Sequence, residues 1–470
     1  MKQLVVEKNN PIPILWDTPM PNPGPGEILI KNHYSVVSSG TELAAIDVAN
    51  TTITDKLQNP SNIEKGLDLI QKEGVKAVWN AMFPKNLLPI QLGYSSSGEV
   101  VKVGKGVSEF HVGDKVVSNG SHAEYVVVNE NLCSRIDQNT DIKEASFTVL
   151  GSIALHGLRL SGTSLGSKVV VIGLGVIGQL VCRLAEAQGS EVIGIDTDSE
   201  RTKNGDNFYT SIDEVELTNI DAVIITAASS SNEPIEIATK IARNKAKIVV
   251  IGDIPLNISR NDFYYKELEL VVSKSYGPGR YDKQYEILGN DYPIEYVRWT
   301  ENRNFEAFTK LLSQKQIYIL DLVSEEVAFE DAPTVYEKFD DENKPLSIIL
   351  RYDIDGDPKI EFGNNLSPEP KTSKVNVGIL GAGNFAATTV LPALKELKKE
   401  CNIIGLASSK GLSSELLAKN FKIKNKYPTE DEILNAEEIE AVLILTPHNN
   451  HAELVIKALG KRKAVYVEKP

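Results

Sequence analysis

The residues best placed to do chemistry are two glycine loops. Gly173-Leu174-Gly175-Val176-Ile177-Gly178 follows the apolar run Val169-Val170-Val171-Ile172, and Gly381-Ala382-Gly383-Asn384-Phe385-Ala386 follows Val375 to Leu380. In such a loop the first glycine permits a tight turn after a strand and the second lets the backbone approach a diphosphate. The third position, Gly178 or Ala386, lets helix and strand pack closely. The helix that follows turns its free N–H groups toward phosphate charge. Asp196 ends the next apolar run, Glu191 to Ile195, about 20 residues on, where a carboxylate accepts hydrogen bonds from ribose hydroxyls. A 2′-phosphate is repelled there, so NAD is expected at the first loop, held by Gly173, Gly175, Val176, Ile177, Gly178 and Asp196. Ala227, after a later strand, is a further candidate for the nicotinamide face. The second loop, with Gly381, Gly383, Asn384, Phe385 and Ala386, leads to a strand ending Leu406-Ala407-Ser408-Ser409-Lys410, with no acid. Hydroxyls and a cation leave room for either NAD or NADP.

Around both loops the sequence alternates strand and helix. Apolar runs at Val169–Ile172, Glu191–Ile195, Ala222–Ile225 and Lys247–Ile251, with a helical stretch from Pro234 to Arg243, predict a parallel doubly wound sheet. Before it, from Glu27 to about Asp137, short β-rich runs bounded by Gly, Asp and Asn predict an antiparallel, barrel-like domain. Phe305 to Leu312 reads as a helix and Ser347 to Arg351 as a strand. A Pro-, Gly-, Asn- and Asp-rich stretch then separates the two nucleotide-binding grammars. The second unit predicts a helix from Thr389 to Lys399 and strands at Asn402–Ala407 and Ala441–Leu445. The fold class is α/β. Residues 1–150 form a β-rich domain rejoined by 276–352, residues 151–275 a Rossmann domain, 353–373 a linker, and 374–470 a second Rossmann domain. Asn59 to Phe83 reads as an insertion with a helical run from Ile63 to Met82, serving as lid, dimer contact or decoration.

The 470 residues suffice for several cores, and 50 basic against 64 acidic residues leave a net charge of −14. That balance argues against nucleic acid or an anionic membrane surface as partner. Three scattered cysteines, Cys133, Cys182 and Cys401, suggest neither a disulfide framework nor a cysteine-rich metal site. The N-terminus lacks the apolar stretch of a signal peptide and no run approaches a membrane span. A cytoplasmic protein is expected, with a small molecule as partner; a homo-oligomer is compatible with this reading.

The order of parts resembles the medium-chain dehydrogenase/reductase superfamily from roughly Gly26 to Tyr352. The matching residues are Gly98-Glu99-Val100-Val101-Lys102-Val103-Gly104, Val112-Gly113-Asp114-Lys115-Val116 and Ala123-Glu124-Tyr125-Val126. The resemblance implies a GroES-like β-barrel domain, with substrate bound in the cleft between it and the Rossmann domain. Zinc-dependent members hold their metal with a Cys before G-[ST]-[DE], a His in G-H-E, and a second Cys. Here Ser39 precedes Gly40-Thr41-Glu42, Gly93-Tyr94-Ser95 replaces G-H-E, and Val149 to Ile153 contains no Cys. Zinc sites are built from Cys, His and carboxylates, so no metal is expected. His33, His111, His122 and His156 are read as structural. Hydride transfer then needs another proton carrier or clamp. Tyr94 and Glu42 are candidates by position, and Arg280, in the loop Tyr276-Gly277-Pro278-Gly279-Arg280-Tyr281, is a candidate for pairing with a carboxylate or phosphate. Val297 to Asn304, rich in Arg, Asn and Trp, carries no readable mechanism.

In the second unit, the glycine loop, Leu445-Thr446-Pro447-His448-Asn449-Asn450-His451 and Glu468-Lys469-Pro470 resemble the N-terminal domain of the glucose-fructose oxidoreductase/inositol dehydrogenase family (Gfo/Idh/MocA). The resemblance implies that Thr446, Pro447, His448 and His451 line the cofactor pocket, with Glu468 a further cofactor-binding candidate, and that Lys469 approaches the nicotinamide and substrate. In that family a large α/β domain follows E-K-P, so the second unit is expected to be incomplete, part of a longer polypeptide or a non-catalytic remnant. The pairing resembles bacterial two-domain oxidoreductases of polysaccharide and sugar-nucleotide metabolism. It implies an NAD(P)-dependent dehydrogenase acting on an alcohol or ketone of a sugar, polyol or sugar nucleotide. The alternative is a sensor or scaffold that binds dinucleotide without turnover.

Overall fold

The structure, a computed structural model, describes residues 1–7, 12–50, 89–339, 344–354, 374–408 and 411–468. The 59–83 insertion, most of the 353–373 linker, Ser409, Lys410 and Lys469 lie outside the described residues.

The chain opens with β1 (Lys2–Val6), β2 (Ile14–Asp17) and the long β3 (Glu27–Val37), followed by α1 (Ser39–Asn50). Then come β4 (Ile90–Gln91), β5 (Ser96–Val103), β6 (Lys115–Ser118), β7 (Tyr125–Asn129) and β8 (Cys133–Arg135). β3 is buried on both faces at Ile28–Ile30 and again at Ser35–Val37, as befits a strand paired along both edges. One edge of β3 pairs with β5, while its other edge is shared: Glu27–Lys31 takes β7, and Tyr34–Val37 is left for a later strand. That strand is β16 (Ile348–Arg351), itself paired in parallel with β15 (Glu325–Ala328). The return of the chain to the first domain, expected from the order of parts, is thus a piece of sheet.

Helix α2 (Thr148–Ser161) carries the chain out of the β-domain into a six-stranded parallel sheet of order β11-β10-β9-β12-β13-β14. Its strands are β9 (Lys168–Ile172), β10 (Glu191–Ile195), β11 (Phe208–Tyr209), β12 (Ile220–Ile225), β13 (Ala242–Val250) and β14 (Glu269–Val272). Helices α3 (Val176–Ala187) and α4 (Glu233–Ile241) belong to the crossovers. Val169, Val170, Val171, Val223, Ile224 and Val249 are fully buried, each contributing roughly 1.5–3 kcal/mol over an exposed position. The order reverses between β9 and β12, and in open sheets of this kind ligands bind at that crevice.

α5 (Glu301–Ser313) starts one turn before the expected Phe305, because Thr300 accepts from the Arg303 N–H and caps it. The second unit is a parallel sheet of order β19-β18-β17-β20-β21, built from β17 (Val375–Leu380), β18 (Cys401–Ala407), β19 (Asn425–Tyr427), β20 (Ala441–Ile444) and β21 (Ala464–Val467). Helices α6 (Gly411–Phe421) and α7 (His451–Gly460) flank it. The single helix expected over Thr389–Lys399 is instead a π turn, Ala386–Val390, followed by a short α-helix, Leu391–Glu396. Pro392 has no N–H and its ring crowds the carbonyl four residues back, which a wider turn relieves.

Candidate functional site

At the first loop β9 ends at Ile172 and Gly173 adopts φ 97°, a conformation that strains any residue with a side chain. A Cβ there would stand 2.5 Å from the Ala227 nitrogen. Ala227 therefore packs against the turn, and its main consequence is to fix Gly173. At Gly178 a Cβ would stand 1.9 Å from the Gly173 carbonyl oxygen, so helix and loop meet with no room for a methyl group. Gly175 differs: the nearest atom to a Cβ there is the Arg201 guanidinium at 4.0 Å. This is open space of the kind a diphosphate fills. Gly175 is also the N-cap of α3 and offers no side chain to cap it, so the N–H groups of the first turn, from Val176 and Ile177 onward, are available to an anion.

Asp196 is buried at 8% exposure and fixed from two sides. Its Oδ2 accepts the Leu174 N–H at 2.6 Å and its Oδ1 the Asp198 N–H at 2.9 Å. The carboxylate is thereby locked to the glycine loop itself, with lone pairs remaining for a ribose diol. Arg201 reaches Asp196 at 3.4 Å and Asp198 at 3.4 Å. Sequence reasoning missed Arg201; the signal was a cation five residues beyond the acid, on the short helix Ser199–Thr202.

Tyr94 packs against clusters that hold both Val36 and Val117 of the β-domain and Val169 and Val171 of the Rossmann sheet, and Tyr276 belongs to one of them. Tyr94 donates to the Thr41 hydroxyl at 3.3 Å, and burial pushes its phenol above the ordinary value, so it acts as a neutral hydrogen-bonding group. Tyr276 shares an apolar cluster with Val117, Val149 and Phe305, against which Tyr94 also packs. Its hydroxyl accepts from Asn119 Nδ2 at 3.3 Å.

Glu42 does not join them. It is 2% exposed, and Oε1 accepts the Ser38 N–H at 2.8 Å while Oε2 lies 3.1 Å from His122 Nε2 and accepts the Tyr336 hydroxyl. His122 Nδ1 then meets Ser35 Oγ at 2.7 Å, and Ser35 meets the Tyr352 hydroxyl at 2.7 Å. A carboxylate this enclosed does not reach a reacting hydroxyl; the expected catalytic role is replaced by a buried tie between β3, α1 and the return segment. Arg280 is also more committed than expected: it pairs with Glu286 and lies over Tyr281 at 4.1 Å. Its Nε, the Tyr285 hydroxyl and both Glu301 oxygens are buried without a partner among the described residues. Burial first, then Glu286, pushes the Glu301 carboxyl up to about 8.

The hydroxyls of Ser38, Thr41 and Tyr94 meet one another, whereas zinc sites are built from thiolate, imidazole and carboxylate. Glu42 and His122 are spent on each other. Among the described residues no group of three or more His, Cys, Asp or Glu is placed to hold a metal.

At the second loop Gly381 has φ 106° and a Cβ would stand 2.7 Å from the Leu445 carbonyl oxygen. Nothing lies within 4 Å of a Cβ at Gly383, again the open space a diphosphate needs. Asn384 and Phe385 are exposed beside it, and Ala386 is buried in the core. Ser408 stands half-buried at the end of β18, where Asp196 stands in the first unit. Thr446 is buried with its hydroxyl unpartnered among the described residues. His451 Nε2 lies 2.8 Å from the Thr446 carbonyl, so the ring fixes the loop holding Thr446 and Pro447. The Glu468 N–H bonds to Ile444 O at 3.3 Å, aligning that segment beside β20.

Residues 375–470 match the oxidoreductase family with an NAD-binding Rossmann fold, and residues 65–138 match the alcohol dehydrogenase GroES-like domain. D-guloside 3-dehydrogenase of Escherichia coli is 25% identical over 280 residues, 55% of this chain and 76% of that protein. 2-dehydro-3-deoxy-L-galactonate 5-dehydrogenase of Pseudoalteromonas atlantica is 24% identical over 246 residues, 43% of this chain and 72% of its own length. The structure of galactitol-1-phosphate dehydrogenase from Escherichia coli overlays 75% of this chain and all of its own, with a TM-score of 0.55 and 19% identity. The chain is therefore an NAD(P)-dependent dehydrogenase in which a GroES-like and Rossmann pair of the medium-chain alcohol dehydrogenase fold precedes a second NAD-binding Rossmann domain.

Proposed function

We propose that the first unit interconverts an alcohol and a ketone on a sugar, polyol or sugar-nucleotide substrate, with NAD as hydride partner and without zinc. The observation that carries this reading is the open cradle at Gly175 with Asp196 hydrogen-bonded to the same loop. Bound there, a nicotinamide accepts or gives the hydride. The rest falls to this chain: Val176 and Ile177 present N–H groups to the diphosphate, Asp196 takes the ribose, and Tyr94 with Thr41 orients the reacting hydroxyl. Because the Tyr94 phenol is held neutral, it positions that hydroxyl, whose proton leaves to solvent. Arg280 steadies the wall opposite through Tyr276 and Tyr281. The similarity to D-guloside 3-dehydrogenase and 2-dehydro-3-deoxy-L-galactonate 5-dehydrogenase supports the substrate class. At the second unit, Gly381, Gly383, Asn384, Phe385, Thr446 and Pro447 hold NAD or NADP, with Ser408 in place of the excluding acid and Lys469 to orient substrate. No described helix is long and apolar enough to cross a membrane, and the three cysteines are free, in keeping with a cytoplasmic enzyme.

The test is a purified chain, NAD, and a panel of hexitols, hexosides and aldonates, read by absorbance of the reduced cofactor. Turnover on at least one, lost in Tyr94→Phe, is the expected result. Dinucleotide binding with no turnover across the panel would favour the sensor or scaffold and sink this reading.

A further inference from the structure

We infer that Arg159, Arg298 and Trp299 form an oxyanion subsite, fitted to the phosphate or carboxylate of a charged sugar-type ligand. It rests on the proposed substrate class and narrows it. The Arg159 guanidinium carbon lies 3.3 Å from the Trp299 ring centroid and that of Arg298 lies 3.8 Å from the same ring. Two guanidinium groups cannot share one face at those distances, so the indole stands between them. Stacking on a ring uses a guanidinium's face and leaves its N–H edges free, the edges that grip phosphate and carboxylate.

Those edges are largely unspent. Arg159 makes one side-chain hydrogen bond, from Nε to Asn304 Oδ1 at 3.1 Å, and neither arginine faces a carboxylate among the described residues. Arg183, Arg243, Arg303 and Arg351 each do. In a chain of net charge −14, two neighbouring cations left without an acid are a costly arrangement, and burial together with Arg298 brings Arg159 down to about 10. The negative end of α2, in whose last turn Arg159 lies, offsets part of that cost; Arg298 has no such help. The site is reachable, with Arg298 exposed and Trp299 and Arg159 half-buried.

It is also wired to the cleft. Asn304, which accepts from Arg159, donates through Nδ2 to the Tyr276 carbonyl at 2.9 Å, and the Tyr276 hydroxyl faces Asn119. His156, one turn before Arg159, stands beside Gly277, and burial and then Arg159 hold its pKa low, so it adds a neutral hydrogen-bonding group. The loop from Tyr276 to Tyr281 is thus held to the subsite through Asn304 and His156.

The experiment titrates the full chain, saturated with NADH so that both glycine loops are filled, with inorganic phosphate, glucuronate or sorbitol at constant ionic strength, following tryptophan fluorescence. A saturable change with phosphate and glucuronate, none with sorbitol, and loss of the signal in Trp299→Phe are expected. Arg298→Ala, an exposed position, should weaken phosphate about tenfold or more while leaving the melting temperature and NADH affinity unchanged, with Arg298→Lys intermediate. Equal phosphate affinity in Arg298→Ala, or no saturable phosphate effect, overturns the subsite. A response to only one of the two anions identifies which group the site takes. NADH binding is measured first and belongs to the dinucleotide reading alone: its failure sinks that reading, while the phosphate titration still decides the subsite.

Discussion

The two glycine loops share a backbone plan and differ in what surrounds it. In the first, the third glycine has no room for a methyl group and the second strand ends in a carboxylate tied back to the loop. In the second, Ala386 occupies the third position, the helix opens as a π turn, and Ser408 stands where the acid would be. The middle glycines, Gly175 and Gly383, face open space in both. Open space at the middle glycine is therefore what the two loops share; the packing at the third position and the residue that ends the second strand are set locally in each unit.

The largest expected effect tests the packing difference. Gly178→Ala forces a Cβ against the Gly173 carbonyl and should cost several kcal/mol, on the order of an overpacked core site or more, with a fall in melting temperature and no NADH binding at the first site. Ala386→Gly should cost about 1 kcal/mol; equal losses from the two would erase the distinction. Next comes the shared cradle. Gly175→Val should keep the fold yet weaken NADH at the first site on the order of a hundredfold, since a displaced diphosphate loses its charge-assisted N–H bonds. Gly383→Val should do so only at the second. Asp196→Ala should weaken NAD about tenfold or more and, with Arg201 freed, narrow the gap to NADP; unchanged affinity for both would show that the ribose lies elsewhere.

A smaller effect concerns Glu301, which has no counterpart in the second unit. Its folded pKa is raised above the ordinary carboxylate value to about 8. The folded state thus holds a proton that the unfolded chain releases from about pH 4.5, and the associated stability is full below that and declines as pH rises toward 8. Melting temperatures at pH 6 and pH 8.5 should differ by several degrees more in the native chain than in Glu301→Gln. The same slope in both would remove Glu301 from the account. Smallest of all, Cys133 and Cys182 should resist thiol reagents in the folded state, because burial raises both thiols.

Strands, loops and the acid at Asp196 were readable because they are local: an apolar run, a glycine, a helix and a second run lie within a short window. The partners of Glu42 were not, since His122 and Tyr336 reach it from other elements, and position alone made a buried tie look like a catalytic carboxylate. Arg201 was legible in principle and passed over. The Val297–Asn304 stretch had no readable mechanism because Arg159, which stacks on its Trp299, comes from a helix before the Rossmann sheet. The π turn was missed because periodicity reports a helix without reporting its pitch.

The strand pairing of β3 with β16 joins residues 34–37 to 348–351, with the whole six-stranded sheet between them in the chain. On the ribosome, the parallel sheet is complete and free to fold while the edge of β3 that β16 will cover is still bare. The β-domain is thus finished after the six-stranded sheet although it is begun before it, and a chain released just short of Ile348 should leave that edge as the place where copies of the protein join.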